Sequence, residues 1–316
     1  MKVLLVGSGS MSKEYAKVLK HLKIDFNVIG NTIDSCKNFE KELSLPAIHG
    51  GLKKFLNQKN LGLYSHAINA VNVEYLKETT INLIEKGIKT ILIEKPGSVH
   101  FSELDEISNI AEGEKSDIYI AYNRRFYSSV EKMKELIYKD GGILSAHCEF
   151  TEWVHKINPD NYPNDVVNKW VIANSSHVLD TMFFLIGEPK ILNPMILGKS
   201  KVLWHPTGSI FIGSGISHNN IPFSYHSNWL SSGRWSIEIL TKNHRLLLKP
   251  MEELKIQKKG AIEIQDVVID NAMDIKFKPG IFNQVSNFLN ANYSSFCSIN
   301  DQKMRIKDVY NKIANY

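Results

Sequence analysis

A chain of 316 residues with 43% apolar and 22% charged side chains is long enough for two domains, each with a core of its own. Its net charge of +5 is spread as mixed lysine and glutamate, and no basic run interleaved with aromatics occurs, so no nucleic-acid partner is expected. The opening apolar run Val3 to Val6 is too short for a signal peptide and no stretch has the length of a membrane span. The cysteines Cys36, Cys148 and Cys297 fit neither a disulfide framework nor a zinc motif; a cytoplasmic protein without membrane partner or metal is expected.

Strands and helices alternate in the first part of the chain. KVLLVG reads as a strand, Ser12 to Lys23 as a helix, FNVIG as a second strand and Ser35 to Leu43 as a second helix. YSHAINAV, TILIEKP and DIYIAYN are further strands, separated by helices over Glu74 to Lys86 and Ser102 to Glu112. Near-continuous apolar strands alternating with helices predict a parallel sheet covered on both faces, so residues 1–121 are read as an α/β, doubly wound Rossmann domain. From about residue 143 the pattern changes. ILSAHCEF, PKILNPMILGKS, SIFIGSG, FSYHSNW, WSIEILT, HRLLLKP and IEIQDVVI are successive strand candidates around one helix at Ser176 to Leu185, with helices at Ile281 to Asn290 and Gln302 to Ala314 closing the chain. Residues 122–316 are therefore read as an α+β domain with a large, mainly antiparallel sheet.

The first turn, GSGSMS, sets Gly7, Gly9 and Ser12 at the positions of a Gly-x-Gly-x-x-Gly fingerprint. The first glycine permits the turn, the second lets backbone approach a pyrophosphate, and a small third residue lets helix and strand pack closely. Gly7, Ser8, Gly9, Ser10 and Met11 are the expected phosphate cradle, at a helix N-terminus whose N–H groups and dipole favour negative charge. The competing reading is a glycine turn that binds nothing. At the end of the second strand an NAD site usually carries Asp or Glu for the ribose hydroxyls. Here stand Gly30, Asn31 and Thr32, followed by Ser35 and Lys37, with Asp34 a few residues into the next turn. Amide, hydroxyl and ammonium donors suit a 2′-phosphate, so NADP(H) is favoured over NAD(H); alternatively Ser35 caps its helix and Lys37 is an ordinary surface residue. Asn69, Glu94 and Lys95, near the ends of later strands, complete the expected cofactor set.

GSGSMS, IEKPG after the strand at 90–94, YNRRF at 122–126 and SSHVLDTMFFLIGEP at 175–189 together resemble the Gfo/Idh/MocA family of glucose-fructose oxidoreductase, inositol dehydrogenase and rhizopine-catabolism proteins. The likeness covers nearly the whole chain, and Glu-Lys-Pro is its most specific part. It implies a Rossmann domain followed, over residues 122–316, by a substrate-binding domain with an open sheet whose outer face mediates homo-oligomerisation to a dimer or tetramer. It also implies NAD(P)-dependent oxidation or reduction at a hydroxyl or carbonyl carbon of a sugar, cyclitol or sugar derivative.

The resemblance makes Lys95 the residue that reaches the substrate oxygen beside the nicotinamide, its backbone fixed by Pro96; read alone, it is a strand-end lysine pairing with Glu94. His177 matches the family histidine and Asp180 a family aspartate one turn later. The family also places an Asp four residues before the histidine, where this chain has Ala173. Either Lys95 and His177 share the proton work, or Asn174 or a group on the substrate replaces the missing carboxylate; a core histidine is the plainer alternative. Tyr122, Asn123 and Arg124 follow the last Rossmann strand, at the edge where α/β ligands bind, or form an interdomain hinge. EWVHK at 152–156, NYPNDVVNKW at 161–170 with Trp170, and HSNW at 226–229 line a sugar pocket or serve as core aromatics. Lys278, in a second Lys-Pro-Gly, is assigned no chemistry. Two other functions remain: a nucleotide-binding regulator or scaffold of the same fold, suggested by Ala173, and an NAD-assisted hydrolase or lyase.

Overall fold

The computed structural model describes residues 1–58 and 61–316, which form two compact units: Met1–Ala121 with Lys276–Met304, and Tyr122–Ile275 with Arg305–Tyr316. The first unit opens with β1 (Lys2–Val6), α1 (Ser10–His21), β2 (Asp25–Ile29), α2 (Ile33–Leu43), β3 (Ala47–Ile48) and α3 (Gly51–Gln58). It continues with β4 (His66–Asn69), α4 (Val73–Glu85), β5 (Thr90–Ile93), α5 (Phe101–Gly113) and β6 (Asp117–Ile120). These strands are all parallel, in the order β6-β5-β4-β1-β2-β3. Val3, Leu4, Leu5, Ile91, Leu92 and Ile93 are all 0% exposed, as expected where helices cover both faces of a sheet. Both α1 and α2 start two residues before the expected positions, and the short β3 and α3 lack a periodic signal long enough to be read.

The second unit begins with a 3-10 turn over Asn123–Phe126, then α6 (Ser128–Lys139), β7 (Ser145–Glu149) and α7 (Asn164–Asn168). A π-helical turn, Val171–Ser175, runs into α8 (Ser176–Ile186). Then come β8 (Pro189–Leu197), β9 (Ile210–Ser217), β10 (Pro222–Asn228), β11 (Ser236–Leu240), β12 (His244–Leu248), β13 (Lys255–Lys258), β14 (Gln265–Asp266) and α9 (Ala272–Lys276). The sheet order is β14-β13-β12-β11-β7-β10-β9-β8, antiparallel throughout except for the parallel pair β7 and β10. Burial alternates along β10, where Phe223, Tyr225 and Ser227 point inward against α8 and the loops, and His226 faces solvent. Pro194 is tolerated in β8 because β8 is an edge strand. The predicted strand IEIQDVVI shrinks to Gln265–Asp266, since Ile262 and Val268 are 94% and 92% exposed and find nothing to pack on.

The expected assignment of everything after residue 121 to the second domain is corrected by the chain's return. Residues 276–304 rejoin the first unit as α10 (Ile281–Leu289), β15 (Cys297–Ser298) and most of α11 (Ile299–Arg305). The cause is local. β15 pairs antiparallel with the exposed edge of β6, Tyr293 stacks on Tyr119 with centroids 4.6 Å apart, and α10 packs on α1. The last segment, a π-helical turn over Ile306–Tyr310 and α12 (Asn311–Ala314), belongs to the second unit. Among the described residues no helix is long and apolar enough to cross a membrane.

Candidate functional site

β1 leads into GSGSMS between β2 and β4, where the order of the parallel strands reverses and open α/β sheets bind their ligands. At Gly7, φ is +113° and a Cβ would stand 2.6 Å from the Ala70 carbonyl oxygen and 2.7 Å from Ser12 Oγ, so glycine is required. Ser12 is fully buried and its hydroxyl donates to that same Ala70 carbonyl at 3.4 Å. Gly9 is the N-cap of α1, and nothing lies within 4 Å of the place its Cβ would occupy. This open space beside the first-turn N–H groups of Ser10 and Met11 has the form of an anion cradle.

The second-strand end joins the same surface. The Ser8 hydroxyl donates to Ser35 Oγ at 2.8 Å, Ser35 Oγ donates to the Thr32 carbonyl at 3.0 Å, and Thr32 Oγ1 caps α2 by accepting from Ser35 N–H at 3.2 Å. A Cβ at Gly30 would meet Cys36 Sγ at 2.3 Å and Ser8 Oγ at 2.5 Å, which excludes any side chain there. Asn31, Thr32 and Lys37 are exposed, and Asp34 lies in the first turn of α2 rather than at the strand end. Asn69 is fully buried, its amide donating to Thr79 Oγ1 at 2.7 Å and Thr80 Oγ1 at 3.0 Å, so its side chain fastens β4 to α4.

β5 ends at Ile93 and delivers Glu94 and Lys95 to a closed corner. The Lys95–Pro96 peptide is cis, Gly97 N–H donates to the Glu94 carbonyl at 2.9 Å, and Gln302 Nε2 donates to the Pro96 carbonyl at 2.9 Å. Gly97 has φ +81° and Ile120, Leu104 and Ile93 crowd the place of a Cβ, which makes glycine necessary. Lys95 is half-buried on this corner. Glu94 turns inward: its Oε1 accepts from the buried Tyr15 hydroxyl at 2.5 Å. Burial pushes the Glu94 carboxyl up, opposed by the Tyr15 hydrogen bond and by Lys95 and Lys278. Lys278, given no role on sequence grounds, stands with Nζ 2.9 Å from Met11 Sδ, beside the glycine turn. No spacing rule links positions 11 and 278; only the return of the C-terminal segment does.

In the second unit His177 lies in the first turn of α8, 7% exposed, with its ring 5.9 Å from Tyr122 and 6.0 Å from Trp235. Four residues earlier Ala173 is buried in the π-helical turn. A carboxylate nevertheless reaches this turn from the loop after β7. Glu152, 2% exposed, accepts from Asn174 Nδ2 at 3.0 and 3.2 Å and from the Ser175 hydroxyl at 2.7 Å. Sequence reasoning noted EWVHK only as a polar and aromatic cluster, because the partners are more than twenty residues apart.

Asp180 is wholly buried and serves as an anchor: it accepts from Arg125 Nε at 2.8 Å and Nη2 at 2.7 Å, and from Arg305, which also holds Glu188. Asn123 is buried at the start of the 3-10 turn, while the Arg124 guanidinium lies 4.6 Å from the Trp235 ring. Trp170 packs with Tyr162 and Trp204, and Trp229 packs with Trp204 and His205, forming an aromatic cluster. No group of three or more His, Cys, Asp or Glu able to hold a metal occurs among the described residues.

No protein-family model matches the sequence and no curated protein matches it significantly. Solved structures do. UDP-N-acetylglucosamine 3-dehydrogenase from Acidithiobacillus ferrooxidans is 14% identical with a TM-score of 0.75, over 100% of this chain and 97% of that one. Levoglucosan dehydrogenase in complex with NADH and levoglucosan is 16% identical with a TM-score of 0.76, over 100% and 96%. An oxidoreductase from Agrobacterium radiobacter in complex with NAD+, L-tartaric acid and magnesium is 11% identical with a TM-score of 0.78, over 100% and 96%. The chain therefore has the two-part fold of these enzymes, a parallel-sheet Rossmann-like unit and a mostly antiparallel open-sheet unit, along its whole length.

Proposed function

We propose that the chain is an NAD(P)-dependent oxidoreductase of the Gfo/Idh/MocA family, acting at a hydroxyl or carbonyl carbon of a sugar, cyclitol or sugar derivative. One observation carries the reading. An open glycine turn after β1 and a lysine on a closed corner after β5 emerge from the same edge of one parallel sheet, with only β4 between their strands. The residues present fit a dinucleotide. Gly7, Ser8, Gly9, Ser10 and Met11 would hold its pyrophosphate, with Lys278 adding positive charge beside Met11. Asn31, Thr32, Ser35 and the exposed Lys37 favour NADP(H), since a carboxylate that would repel a 2′-phosphate is missing from the strand end. Asn69 and Glu94 act as positioning residues for this edge. When bound, the cofactor supplies the donor or acceptor of a hydride.

Lys95 is assigned to hold the reacting oxygen and to move its proton; His177 is the second proton-carrying group. Glu152, by gripping Asn174 and Ser175, fixes the turn that leads into His177 and takes over the orienting part of the carboxylate lost at Ala173. Tyr122, Asn123, Arg124 and Asn174 complete the substrate set, and Trp170 is reassigned to packing. We infer that the protein acts as a cytoplasmic homo-oligomer. In support of the oligomer, Ile191, Met195 and Leu197 on one face of β8 are 45%, 57% and 49% exposed, and Ile216 continues that face on β9. The names of two solved relatives, a levoglucosan and a UDP-N-acetylglucosamine dehydrogenase, support a carbohydrate substrate.

The test mixes protein, NADPH or NADP+ and a panel of sugars while following the reduced-nicotinamide absorbance. Net change that falls roughly 100-fold or more in Lys95→Met, with cofactor binding retained, is the expected result. Near-normal turnover in Lys95→Met would make the lysine structural. Cofactor binding without change for any sugar would favour a regulator, and product without net change a hydrolase or lyase.

A further inference from the structure

Trp235 carries two guanidiniums. Arg124 Cζ lies 4.6 Å from its ring centroid and Arg234 Cζ 4.4 Å. Arg234 also lies 4.6 Å from the Trp153 ring, where Lys156 Nζ approaches to 4.7 Å. Like charges gathered on adjacent indoles repel one another, so the arrangement needs a counter-charge.

The protein supplies part of it: Glu152, which also accepts from Asn174 and Ser175, forms an ion pair with Arg234 at 3.6 Å. Glu252 hydrogen-bonds to Tyr127. Among the described residues no hydrogen bond or ion pair to the Arg124 side chain is present. Its Nε is buried without an acceptor, and so is the Trp235 indole Nε1. A buried donor left unmet costs free energy, and most of all when it belongs to a charged group. Burial disfavours the charged form of Arg124 and the neighbouring Arg234 adds to that, while Tyr127, Glu252 and Glu152 oppose it. An external oxyanion would compensate the Arg124 charge, since a planar guanidinium matches phosphate or carboxylate through paired N–H groups and packing on the indole holds it in advance.

The location gives this charge a use. Trp235 is the ring that also packs beside His177, whose imidazole meets Tyr122 edge to face as well. A group bound on the arginines is thus one indole away from the histidine. Neutral sugar hydroxyls would supply hydrogen bonds but leave the Arg124 guanidinium without an ion-pair partner.

We propose that Arg124 and Arg234, stacked on Trp235, bind an oxyanion carried by the substrate, so that the sugar is acidic: a sugar phosphate or a uronate. This rests on the oxidoreductase reading for the word substrate, but the anion site is defined by its own geometry. It gives the second unit charge recognition, joining Arg124, a ligand contact expected from the sequence, with Arg234, which was not.

The experiment titrates the full chain, at fixed ionic strength, with D-glucose 6-phosphate, D-glucuronate and neutral D-glucose, following tryptophan fluorescence and calorimetric heat. At least one anionic probe should bind roughly tenfold or more tightly than glucose, and Arg124→Met should remove that advantage. Arg234→Gln, at a side chain 43% exposed and so tolerant of exchange, should weaken the same probe several-fold even if Arg124→Met does not fold. Preference for the phosphate or for the uronate identifies the source of the oxyanion. Equal binding of charged and neutral probes, or of none, overturns the inference, as does an unchanged affinity in Arg234→Gln. NADPH titration of the same samples separates the two proposals. Intact cofactor binding without anion selectivity defeats this one alone, whereas anion selectivity without cofactor binding defeats the oxidoreductase reading alone.

Discussion

Replacing Asp180 with alanine removes the one carboxylate shared by two buried arginines. Arg125 is 4% exposed and makes a two-pronged contact to it, Nε to Oδ2 at 2.8 Å and Nη2 to Oδ1 at 2.7 Å, while Arg305 keeps a second partner in Glu188. The loss therefore falls mainly on Arg125, a desolvated charge that also packs against the Phe184 ring at 4.8 Å. Removing one partner of such a pair costs about 3–5 kcal/mol. For a unit of this size each kcal/mol lowers the melting temperature by roughly 2–4 °C, so Asp180→Ala should melt roughly 6–20 °C below the parent. Circular dichroism melts at pH 7 measure it. Because the cost lies in the abandoned charge, the double exchange Arg125→Met with Asp180→Leu should recover much of the loss. A shift below about 2 °C, or a double variant as unstable as the sum of the singles, would refute the view of Asp180 as a structural anchor.

Gly9→Val should abolish dinucleotide binding while leaving the melting temperature nearly unchanged, because its side chain enters space empty of protein; calorimetric NADPH titration reads it, and undiminished binding sinks the cradle. Wild-type protein should bind NADPH more tightly than NADH, and Asn31→Asp should move the preference toward NADH through repulsion of the 2′-phosphate, with equal affinities in the parent as the contrary result. Tyr15→Phe deletes the donor that holds the Glu94 carboxyl down, so that carboxyl, already raised above 4.5 by burial, rises further. A carboxyl raised in the folded state gives stability that is full below its unfolded value and lost as pH rises through the folded one. Melts of Tyr15→Phe between pH 4 and 8 should thus fall increasingly below the parent as pH rises above about 4.5, and a deficit constant with pH would contradict this assignment.

Much of the first unit was legible because its information is local. The apolar runs of β1, β4 and β5, the glycine spacing of the first turn and the Lys-Pro-Gly corner each lie within a few residues. The mixed sheet was readable as strands, but not its parallel β7–β10 pair, which depends on partners some eighty residues apart. IEIQDVVI misled for the opposite reason: its alternation is real, but half of it faces water, and a pattern without a partner surface makes little strand. At the candidate site, His177 was singled out only by the resemblance of the segment 175–189 to the family, whereas Glu152, Lys278 and the contacts on Trp235 are assembled by loops and by the returning chain. What periodicity cannot carry is which distant charge fills a vacant position.

The return of residues 276–304 to the first unit sets a timetable for biosynthesis. When residue 121 has left the ribosome, the β6 edge still lacks β15, Tyr119 lacks its stacking partner Tyr293, and α1 lacks α10. Gln302, which donates to the Pro96 carbonyl in the Lys95 corner, comes later still. At about 5–20 residues per second the ribosome needs roughly 10–40 seconds to deliver these pieces. Throughout that interval a nearly finished parallel sheet waits with an open strand edge, so the nascent chain is most in need of a chaperone in the middle of its synthesis rather than at its end.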